Sequence, residues 1–363
     1  MRRIGILTGG GDAPGLNAVI RAVVKTAIRE YGCEVRGIRN GYEGVLDPEG
    51  VFPLNIESVR GILPKGGTIL GAANRGNPFA RKVIRNGKEV IEDQSDRIVA
   101  CIRELDLDAL IVVGGDGSLR IARELFDKGV PVIGVPKTID NDIGGTNVTF
   151  GFHTAISTAT DAIDKLHTTA ESHHRVIVLE LMGRDSGFIA LYAGVAGGAD
   201  VILIPEIPFK FDAIYRKIIE RVENGRHFSI IAASEGAYPE GEQQIFRRKE
   251  DKVISARLGG IGEVIAQNIE HDCGVEARCT VLGHLQRGGT PTTFDRWLAT
   301  RFGAAAVRAV AAGKFGSMVA LRDTHIVEVP LVEALAIPKR VNINDDAVLT
   351  ARNLGICLGD ESP

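Results

Sequence analysis

The sequence lacks the marks of a secreted, zinc-binding or membrane-inserted protein. Only 5 of its 363 residues are cysteine, and no two of them form a CxxC pair, which argues against a disulfide framework or a cysteine zinc site. No stretch approaches the ~20 apolar residues that are needed to span a bilayer. The apolar run at the amino terminus meets glycines too early for a signal peptide. We therefore expect a cytoplasmic protein with reduced thiols.

A strong net charge is also absent. The 43 lysines and arginines nearly balance the 46 aspartates and glutamates, so the formal net charge is -3 at pH 7. This balance gives no general attraction for nucleic acid or for an anionic membrane. Aromatic residues are scarce at 5%, whereas glycine is abundant, with 44 residues. A phosphate-bearing ligand would have to be held by a local cluster of donors and cations, and tight glycine loops are the places to look for it.

Short apolar runs alternate with amphipathic stretches along the chain. In the stretches 17–32 and 117–129, apolar residues recur three and four positions apart, as in helices that cover one face of a core. This alternation predicts an α/β fold, and 363 residues are enough for two domains. We predict two doubly wound, Rossmann-like three-layer domains with mostly parallel sheets. The predicted buried strands are IGILT (4–8), ALIVVGG (109–115), PVIGVP (131–136), RVIVLELMG (175–183), VILIPE (201–206) and FSIIAASEG (228–236).

Ligands of such sheets gather at the carboxyl ends of the strands, and glycine loops follow two of the predicted strands. TGGGDAPG (8–15) precedes a helix and is either an anion-binding loop or a tight turn; it matches neither the P-loop nor a dinucleotide fingerprint. GGDGS (114–118) offers Asp116 as a hard oxygen ligand for Mg²⁺ beside a backbone that phosphate oxygens can approach. The alternative for this second loop is a helix cap made by Asp116 or Ser118.

The segment PKTIDND (136–142) places two acids and a lysine where a buried strand ends. In extended backbone Asp140 and Asp142 would face the same way, and two neighbouring carboxylates favour a metal, a lysine or a shared proton nearby. Lys137 is close in sequence. One carboxylate could then accept a hydroxyl proton while the other helps with metal binding or positioning. The alternative is an ordinary turn, since DND is also a good turn former.

A set of cationic side chains stands in four short segments further along the chain. Together these side chains could hold a phosphate monoester, because guanidinium groups match phosphate geometry and stay charged. Taken singly, each arginine fits equally well as a surface residue or a salt-bridge partner. The set consists of Arg175, Arg184, Arg278, His284 and Arg287.

Eight motifs follow one another from residue 4 to about residue 310. They are LTGGGDAPGLNAVIR, GGTILGAANRGNPF, GGDGS, PKTIDNDI, GFHTA, HHRVIVLELMGR, ASEG and TVLGHLQRGG. In this order they resemble the phosphofructokinase family. The resemblance implies ATP-dependent phosphorylation of fructose 6-phosphate at its 1-hydroxyl to fructose 1,6-bisphosphate, in glycolysis, with Mg²⁺ as cofactor and with no nucleic acid or membrane as partner.

The resemblance also implies a role for each motif. Asp140 resembles the base that takes the hydroxyl proton, with Thr138 and Arg184 beside it in catalysis, and Asp116 resembles the magnesium ligand. The residues that resemble the donor-binding site are Gly11, Asn74, Arg75, Gly114, Gly115, Asp116, Gly117 and Ser118. Those that resemble the sugar-phosphate site are Thr138, Ile139, Asp140, Met182, Gly183, Arg184, Glu235, His284, Leu285, Gln286 and Arg287.

Two further arginines imply an assembly. Arg175 and Arg278 resemble family arginines that reach the sugar phosphate from a neighbouring subunit, so we expect a homotetramer or homodimer with shared active sites. The ATP/Mg-binding domain should comprise residues 1–150 plus about 287–336. The fructose 6-phosphate-binding domain should comprise 151–286 plus about 337–363.

The two positions that bear on the phosphoryl donor disagree. Family members that use pyrophosphate usually have lysine at the position of Lys137 and aspartate at that of Gly117, whereas ATP users have glycine at the former. Gly117 leaves room beside Asp116 for the nucleotide, and this is the stronger constraint, so the resemblance to the mixed-substrate branch implies ATP. Bacterial ATP enzymes have arginine at the position of Asn74, and we expect Arg75 to take over that contact.

Three other functions fit parts of this pattern. A pyrophosphate-dependent phosphofructokinase fits Lys137. An NAD or lipid kinase also has a GGDG loop before a helix, but TIDND together with GHLQRGG is not expected there. A non-catalytic sugar-phosphate sensor could share the architecture, although Asp116 and Asp140 together favour an enzyme.

Overall fold

The computed structural model describes residues 1–73, 76–85, 88–248 and 257–360, and strand alternates with helix along most of them. The strands are β1 (Arg3–Thr8), β2 (Glu34–Ile38), β3 (Val51–Leu54), β4 (Arg81–Arg85), β5 (Lys88–Glu92), β6 (Ala109–Gly114), β7 (Val132–Pro136), β8 (Val176–Leu181), β9 (Val201–Leu203), β10 (Ser229–Ser234), β11 (Phe246–Arg248), β12 (Arg257–Leu258), β13 (Ala277–Val281), β14 (Ser317–Arg322) and β15 (His325–Pro330). The helices are α1 (Leu16–Tyr31), α2 (Ser95–Glu104), α3 (Asp116–Asp127), α4 (Phe152–His173), α5 (Phe188–Ala196), α6 (Phe211–Glu223), α7 (Ile261–Cys273), α8 (Thr293–Ala311), α9 (Leu331–Ala334) and α10 (Asp346–Asn353).

The larger sheet, here called the donor sheet, has seven strands within the described chain, in the order β15-β14-β7-β6-β1-β2-β3. Strands β14, β7, β6, β1 and β2 are parallel, and the two edge strands β3 and β15 are antiparallel to their neighbours. The chain fills the sheet outward from β1 in both directions, which is the doubly wound arrangement.

Helices cover both faces of the donor sheet and make it the middle of three layers. Along β6, Ile111 and Val113 pack in one apolar cluster with α1 and α8, whereas Leu110 and Val112 pack in another with α2 and α3. Successive side chains of a strand point to opposite faces, so a strand that is buried on both faces is apolar throughout. This is why ALIVVG forms a central strand.

The smaller sheet, here called the sugar sheet, has four parallel strands among the described residues, in the order β13-β8-β10-β9. One face packs on α4, α5 and α10, and the other on α6 and α7. Its central strand β8 reads VIVLEL and contains one buried acid. The carboxylate of Glu180 accepts the amide hydrogens of Gly260 and Gly262 at 3.0 and 2.9 Å, at the start of α7. The acid therefore fixes a helix to the sheet.

The predicted fold class is confirmed, since two mostly parallel sheets each carry helices on both faces. The six predicted runs correspond to β1, β6, β7, β8, β9 and β10. Strand β9 ends earlier than predicted, at Leu203, because Pro205 follows and cannot donate to a strand ladder. In the described part of the chain, none of the helices has the length and apolar character needed to cross a bilayer.

Candidate active site

Loops from the carboxyl ends of three neighbouring strands of the donor sheet lie side by side. The amide of Gly9, after β1, donates to the carbonyl oxygen of Val113 at 2.9 Å. The amide of Lys137, after β7, donates to the carbonyl oxygen of Gly114 at 2.9 Å, and the strand register places Gly114 opposite Pro136. Both glycine loops and the PKTIDND segment therefore meet at one edge of the sheet, as parallel strands require.

Glycine is needed where the two glycine loops touch. Ser118 is buried between them, so a Cβ added to Gly9 would lie 2.6 Å from Ser118 Oγ and one added to Gly114 would lie 2.4 Å from Ser118 Cβ. Gly117 differs, because it is exposed and no described atom beyond its immediate neighbours lies within 4 Å of an added Cβ. Packing fixes the backbone of these loops, while the space beside Gly117 stays open for a ligand.

Asp116 begins α3 at this edge and is half exposed. Its Oδ2 pairs with Nε of Arg120 at 2.8 Å, and Nη2 of Arg120 donates to the carbonyl oxygen of Leu335 at 3.0 Å. In the described chain no side-chain hydrogen bond caps α3, whose N-cap is Gly115, so the cap alternative for Asp116 and Ser118 is not supported. The described residues contain no group of three or more His, Cys, Asp or Glu side chains suited to a metal.

The two acids of the PKTIDND segment lie in a turn. Asn141 has a φ of 54°, in the left-handed region, and its Oδ1 accepts the amide of Thr149 at 3.1 Å. The amide of Asp140 donates to Thr138 Oγ1 at 3.0 Å. The prediction of extended backbone is therefore wrong here, because the Asn141 side chain stabilises a turn. The turn is internal nonetheless, since Asp140 is only 8% exposed.

Burial governs the electrostatics of this acid turn. It raises the pKa of Asp140, and three nearby cations oppose the shift: Arg287, Arg184 and Lys137. Burial and the charge of Asp140 together raise the pKa of Asp142 to about 6. Among the described residues, Oδ1 of each of the two aspartates is buried without a hydrogen-bond partner. An unpartnered buried polar atom is costly, so a ligand hydroxyl or a cation would complete this site.

Lys137 connects the acid turn to the first glycine loop. Its side chain is 3% exposed, and its ammonium group donates to the carbonyl oxygen of Gly11. Burial and the charge of Arg287 lower the pKa of Lys137 to about 8, against the opposing effect of nearby aspartates. Lys137 is therefore a compact cation beside a glycine backbone, an arrangement suited to a phosphate oxygen.

The turn after β8 brings the sugar sheet against the acid turn. Ser186 Oγ donates to the carbonyl oxygen of Asp140 at 2.8 Å. Gly183 has a φ of 151°, and a Cβ there would lie 2.5 Å from the carbonyl oxygen of Ser186. Arg184 is left-handed at φ 56°, and its amide donates to Glu235 Oε1 at 3.3 Å. The carboxyl edges of the two sheets thus face each other across Asp140.

Glu235 is a second acid on the sugar-sheet side. Burial, followed by the charge of Asp140, raises the pKa of Glu235 to about 7. An acid in this range can donate or accept a hydrogen bond to a hydroxyl near neutral pH. Of the other residues predicted here, Met182 packs partly against the apolar core of the sugar sheet, and Ile139 is fully buried in that core.

The 3-10 helix that follows β13, Gly283–Arg287, closes the site from the far side. Nη1 of Arg287 donates to the carbonyl oxygen of Asp12 at 3.0 Å, in the first glycine loop. Gln286 is buried and its Nε2 donates to the carbonyl oxygen of Gly283 at 3.0 Å, so its side chain shapes the turn. The two remaining predicted residues, His284 and Leu285, are exposed.

Arg175 and Arg278 lie at the opposite end of the sugar sheet from Arg184. Arg175 precedes β8 and Arg278 is near the start of the parallel β13, whereas Arg184 follows the carboxyl end of β8. Both arginines pair with Glu276, through Arg175 Nε at 2.8 Å and Arg278 Nη2 at 2.6 Å. The six residues of β8 separate the two ends by roughly 17 Å. Within one chain, Arg175 and Arg278 therefore lie too far from Arg184 to contact the same phosphate group.

Two residues that organise the site were not predicted. Arg120 pairs with Asp116, and their spacing of four on a helix is the signal that could have found it. Ser186 bonds to the acid turn, but that contact depends on how the two sheets pack and has no local sequence signal. Asn74 and Arg75, predicted at the donor phosphates, lie outside the described residues.

The fold is that of an α/β enzyme in which polar loops lie between the carboxyl edges of two doubly wound sheets. Residues 3–310 match the family model described as phosphofructokinase. The chain therefore belongs to the phosphofructokinase family, which makes it a phosphotransferase. This membership argues against the NAD or lipid kinase and the non-catalytic sensor.

Relatives with two different donor names resemble the chain almost equally. An ATP-dependent 6-phosphofructokinase of Chloroflexus aurantiacus is 54% identical over 361 residues, which cover 99% of this chain and 98% of the relative. A pyrophosphate–fructose 6-phosphate 1-phosphotransferase of Streptomyces coelicolor is 51% identical over 342 residues, 94% of this chain and 96% of the relative. The solved Pichia pastoris phosphofructokinase in the T-state has a TM-score of 0.79 at 33% identity, and the match covers 92% of this chain and 35% of the yeast chain.

Proposed function

We propose that this protein is an ATP-dependent 6-phosphofructokinase, which phosphorylates D-fructose 6-phosphate at its 1-hydroxyl in glycolysis. The observation that carries the proposal is the environment of Asp140. This buried carboxylate has an unpartnered oxygen and lies between the glycine loops of the donor sheet and the Arg184 turn of the sugar sheet. It is the place where a sugar hydroxyl and a donor phosphate would meet.

In the proposed step the 1-hydroxyl oxygen of the sugar attacks the terminal phosphorus of ATP. The new oxygen–phosphorus bond forms as the bond to the bridging oxygen breaks, ADP leaves, and the hydroxyl proton passes to Asp140. Transfer of this kind depends mainly on alignment and on neutralising charge, which Arg184 and Lys137 would provide. General-base help from Asp140 is typically worth ~10²- to 10⁴-fold. Thr138 would hold the base in place through the amide of Asp140.

The sugar phosphate would bind at the carboxyl edge of the sugar sheet. Exposed and half-exposed cations there suit its phosphate, and Glu235 suits a sugar hydroxyl. Ile139 and Gln286 would contribute through the backbone, since their side chains are buried. The proposed residues are Thr138, Ile139, Asp140, Met182, Gly183, Arg184, Glu235, His284, Leu285, Gln286 and Arg287.

We propose a homo-oligomer, a dimer or tetramer, in which each site is shared between subunits. The separation of Arg175 and Arg278 from Arg184 within one chain supports this proposal, because a neighbouring copy could bring those two arginines to the phosphate. Arg278 also pairs with Glu270, and the two arginine side chains, 32% exposed for Arg175 and 54% for Arg278, both pair with Glu276. A ligand phosphate could compete with that glutamate.

The donor phosphates would lie on the two glycine loops, at Gly11, Gly114, Gly115, Gly117 and Ser118, with Asn74 and Arg75 as further proposed contacts. Asp116 offers a hard carboxylate oxygen beside the loop amides, and within the described chain the nearby acid turn has two buried carboxylate oxygens without a hydrogen-bond partner, which supports a magnesium ion at this edge. Bound there with waters and donor phosphates, Mg²⁺ would supply charge neutralisation. Asp116 is the residue that we propose to hold it.

We assign the donor half to residues 1–150 plus about 287–336, and the sugar half to 151–286 plus about 337–363. The positions of the strands support this division. All strands of the donor sheet lie within residues 3–136 and 317–330, and all strands of the sugar sheet lie within residues 176–281.

ATP is the proposed donor because the space beside Gly117 is open. The second candidate is pyrophosphate, which the buried cation of Lys137 favours, and the similar identities to relatives of both names do not separate the two. A coupled assay with ATP and pyrophosphate in parallel tests the choice. We expect turnover with ATP in the wild type, and its loss in Gly117→Asp, since a carboxylate would repel the nucleotide phosphates. If the wild type turns over with pyrophosphate and not with ATP, pyrophosphate is the donor and the proposal of ATP is wrong.

A further inference from the structure

Lys339 lies in the segment that leads from α9, on the donor sheet, to α10, on the sugar sheet. None of the motifs of the sequence includes it. Its backbone amide donates to the carbonyl oxygen of Asp142 at 2.8 Å. Two residues further on, the amide of Val341 donates to Glu206 Oε1 at 2.8 Å, and the same oxygen accepts the amide of Gly187 at 3.0 Å. The segment is therefore tied to the acid turn and to the start of α5.

The side chain of Lys339 makes a second contact with the loop that follows the acid turn. Its ammonium group donates to the carbonyl oxygen of Asn147. Backbone and side chain of one residue thus hold two points of the chain, Asp142 and Asn147, five residues apart. These two contacts add to the bond from Ser186 Oγ to the carbonyl oxygen of Asp140 at 2.8 Å, which holds the preceding part of the same segment.

The ammonium group also lies within an apolar and acidic environment. It is 5.1 Å from the centroid of the Phe188 ring, within the range of a cation–π contact. Burial lowers the pKa of Lys339 to about 8, and the negative charge of Asp142 opposes that shift. The ammonium group is thus a partly buried cation whose charge acts on Asp142, one of two neighbouring carboxylates.

We propose that Lys339 is a positioning residue for phosphoryl transfer, which holds the Asp140–Asp142 turn in its reactive geometry from the donor-to-sugar connection. This inference rests on the proposed function of Asp140. Removing the ammonium group breaks its contact with Asn147 and takes away one of the cations near the two carboxylates, whereas the backbone bond to Asp142 remains. A displacement of about 1 Å at a reacting group costs up to ~10²-fold in rate. Substrate binding would change little, because Lys339 touches neither glycine loop nor the sugar-site residues.

The test uses the full-length enzyme with Lys339→Met, which keeps the length of the side chain and removes its charge, and Lys339→Arg, which restores the charge. Lys128→Met is the matched control. Lys128 also faces an acid, Asp96, at 2.6 Å, and lies 5.7 Å from the ring centroid of Phe79, but it follows the far end of α3. The kinetic constants kcat and KM for fructose 6-phosphate and the thermal midpoint are measured for each.

We expect Lys339→Met to lower kcat about 10- to 100-fold with KM changed less than about twofold, and Lys339→Arg to recover most of kcat. Lys128→Met should behave as the wild type. If Lys339→Met is unstable, Lys339→Gln, which keeps a hydrogen-bond donor for Asn147, should still show a lower kcat because the charge is absent. A kcat within about twofold of wild type in a folded Lys339→Met protein, or a rise in KM alone, overturns the inference. A wild type without activity on fructose 6-phosphate would instead overturn the proposed function.

Discussion

The segment that follows β7 at the carboxyl edge of the donor sheet holds Lys137 and Asp140 inside the protein, whereas the carboxyl edge of the sugar sheet holds Arg184 and His284 near its surface. On the donor side, Asp140 and Lys137 are almost fully buried. The amide of Asp140 donates to Thr138 Oγ1, and the ammonium group of Lys137 donates to the carbonyl oxygen of Gly11. On the sugar side, the Arg184 side chain is 49% exposed, and His284 is exposed as well.

This difference in burial leads us to expect catalysis to depend mainly on one edge and substrate binding mainly on the other. Asp140, the proposed base, lies at the buried edge, where it would need no rearrangement when the substrates meet. Of the proposed cations for the sugar phosphate, Arg184 lies at the open carboxyl edge of the sugar sheet, whereas Arg175 and Arg278 lie at the opposite end of that sheet. We therefore expect substitutions on the donor side to lower kcat and substitutions on the sugar side to raise KM.

The largest expected effect is that of Asp140→Asn on the buried edge. The amide cannot accept the hydroxyl proton, so kcat should fall by ~10²- to 10⁴-fold, while KM for fructose 6-phosphate stays within about threefold. Steady-state kinetics with ATP would measure both constants. Asp185→Asn, at an exposed acid beside Arg184, is the control and should retain nearly full kcat. If Asp140→Asn keeps wild-type kcat, the buried edge does not carry the base.

A smaller effect is expected from Arg278→Ala, at the opposite end of the sugar sheet from the open edge. Loss of one charge-assisted hydrogen bond to phosphate, worth about 1.5–3 kcal/mol, should raise KM about 10- to 100-fold and leave kcat nearly unchanged. Co-expression with Asp140→Asn sharpens this prediction. If each site combines Asp140 of one subunit with Arg278 of another, mixed oligomers contain some intact sites and regain activity at low sugar concentration. Mixed oligomers that are no more active than the two separate variants would show that sites are not shared.

The smallest expected effect is a pH dependence of stability at Glu235. Its pKa is raised from about 4.5 to about 7, so the folded protein binds a proton that the unfolded protein releases, and the free energy of unfolding falls as pH rises between these values. Glu235→Gln removes this loss. The thermal midpoint of the variant minus that of the wild type should therefore be a few degrees larger at pH 8 than at pH 5, at ~2–4 °C per kcal/mol.

The exposed Glu242→Gln is the control for this measurement and should show no such gain. A difference between Glu235→Gln and wild type that is the same at both pH values would contradict the raised pKa.

Much of the buried edge could be predicted from the sequence, because apolar runs locate strands and parallel strands bring their carboxyl ends together. β1, β6 and β7, with Asp116 and Asp140 after them, follow from that rule. Contacts between distant parts of the chain could not be predicted. Lys339 reaches Asp142 from almost 200 residues away, and Ser186 reaches Asp140 across two sheets, since both contacts depend on tertiary packing and neither side chain has a local pattern. The turn at Asn141 is the alternative that the DND sequence offered, and the side-chain bond of Asn141 to Thr149 favours it over an extended continuation of β7.

A crystal structure with fructose 6-phosphate bound tests the central claim most directly, through the distance between the sugar 1-hydroxyl oxygen and the nearer carboxylate oxygen of Asp140. We predict that this oxygen lies ~2.6–3.2 Å from the carboxylate, the reach of a general base, with the sugar phosphate at the open edge. A sugar bound with its 1-hydroxyl directed away from Asp140 and toward another acid would contradict the account.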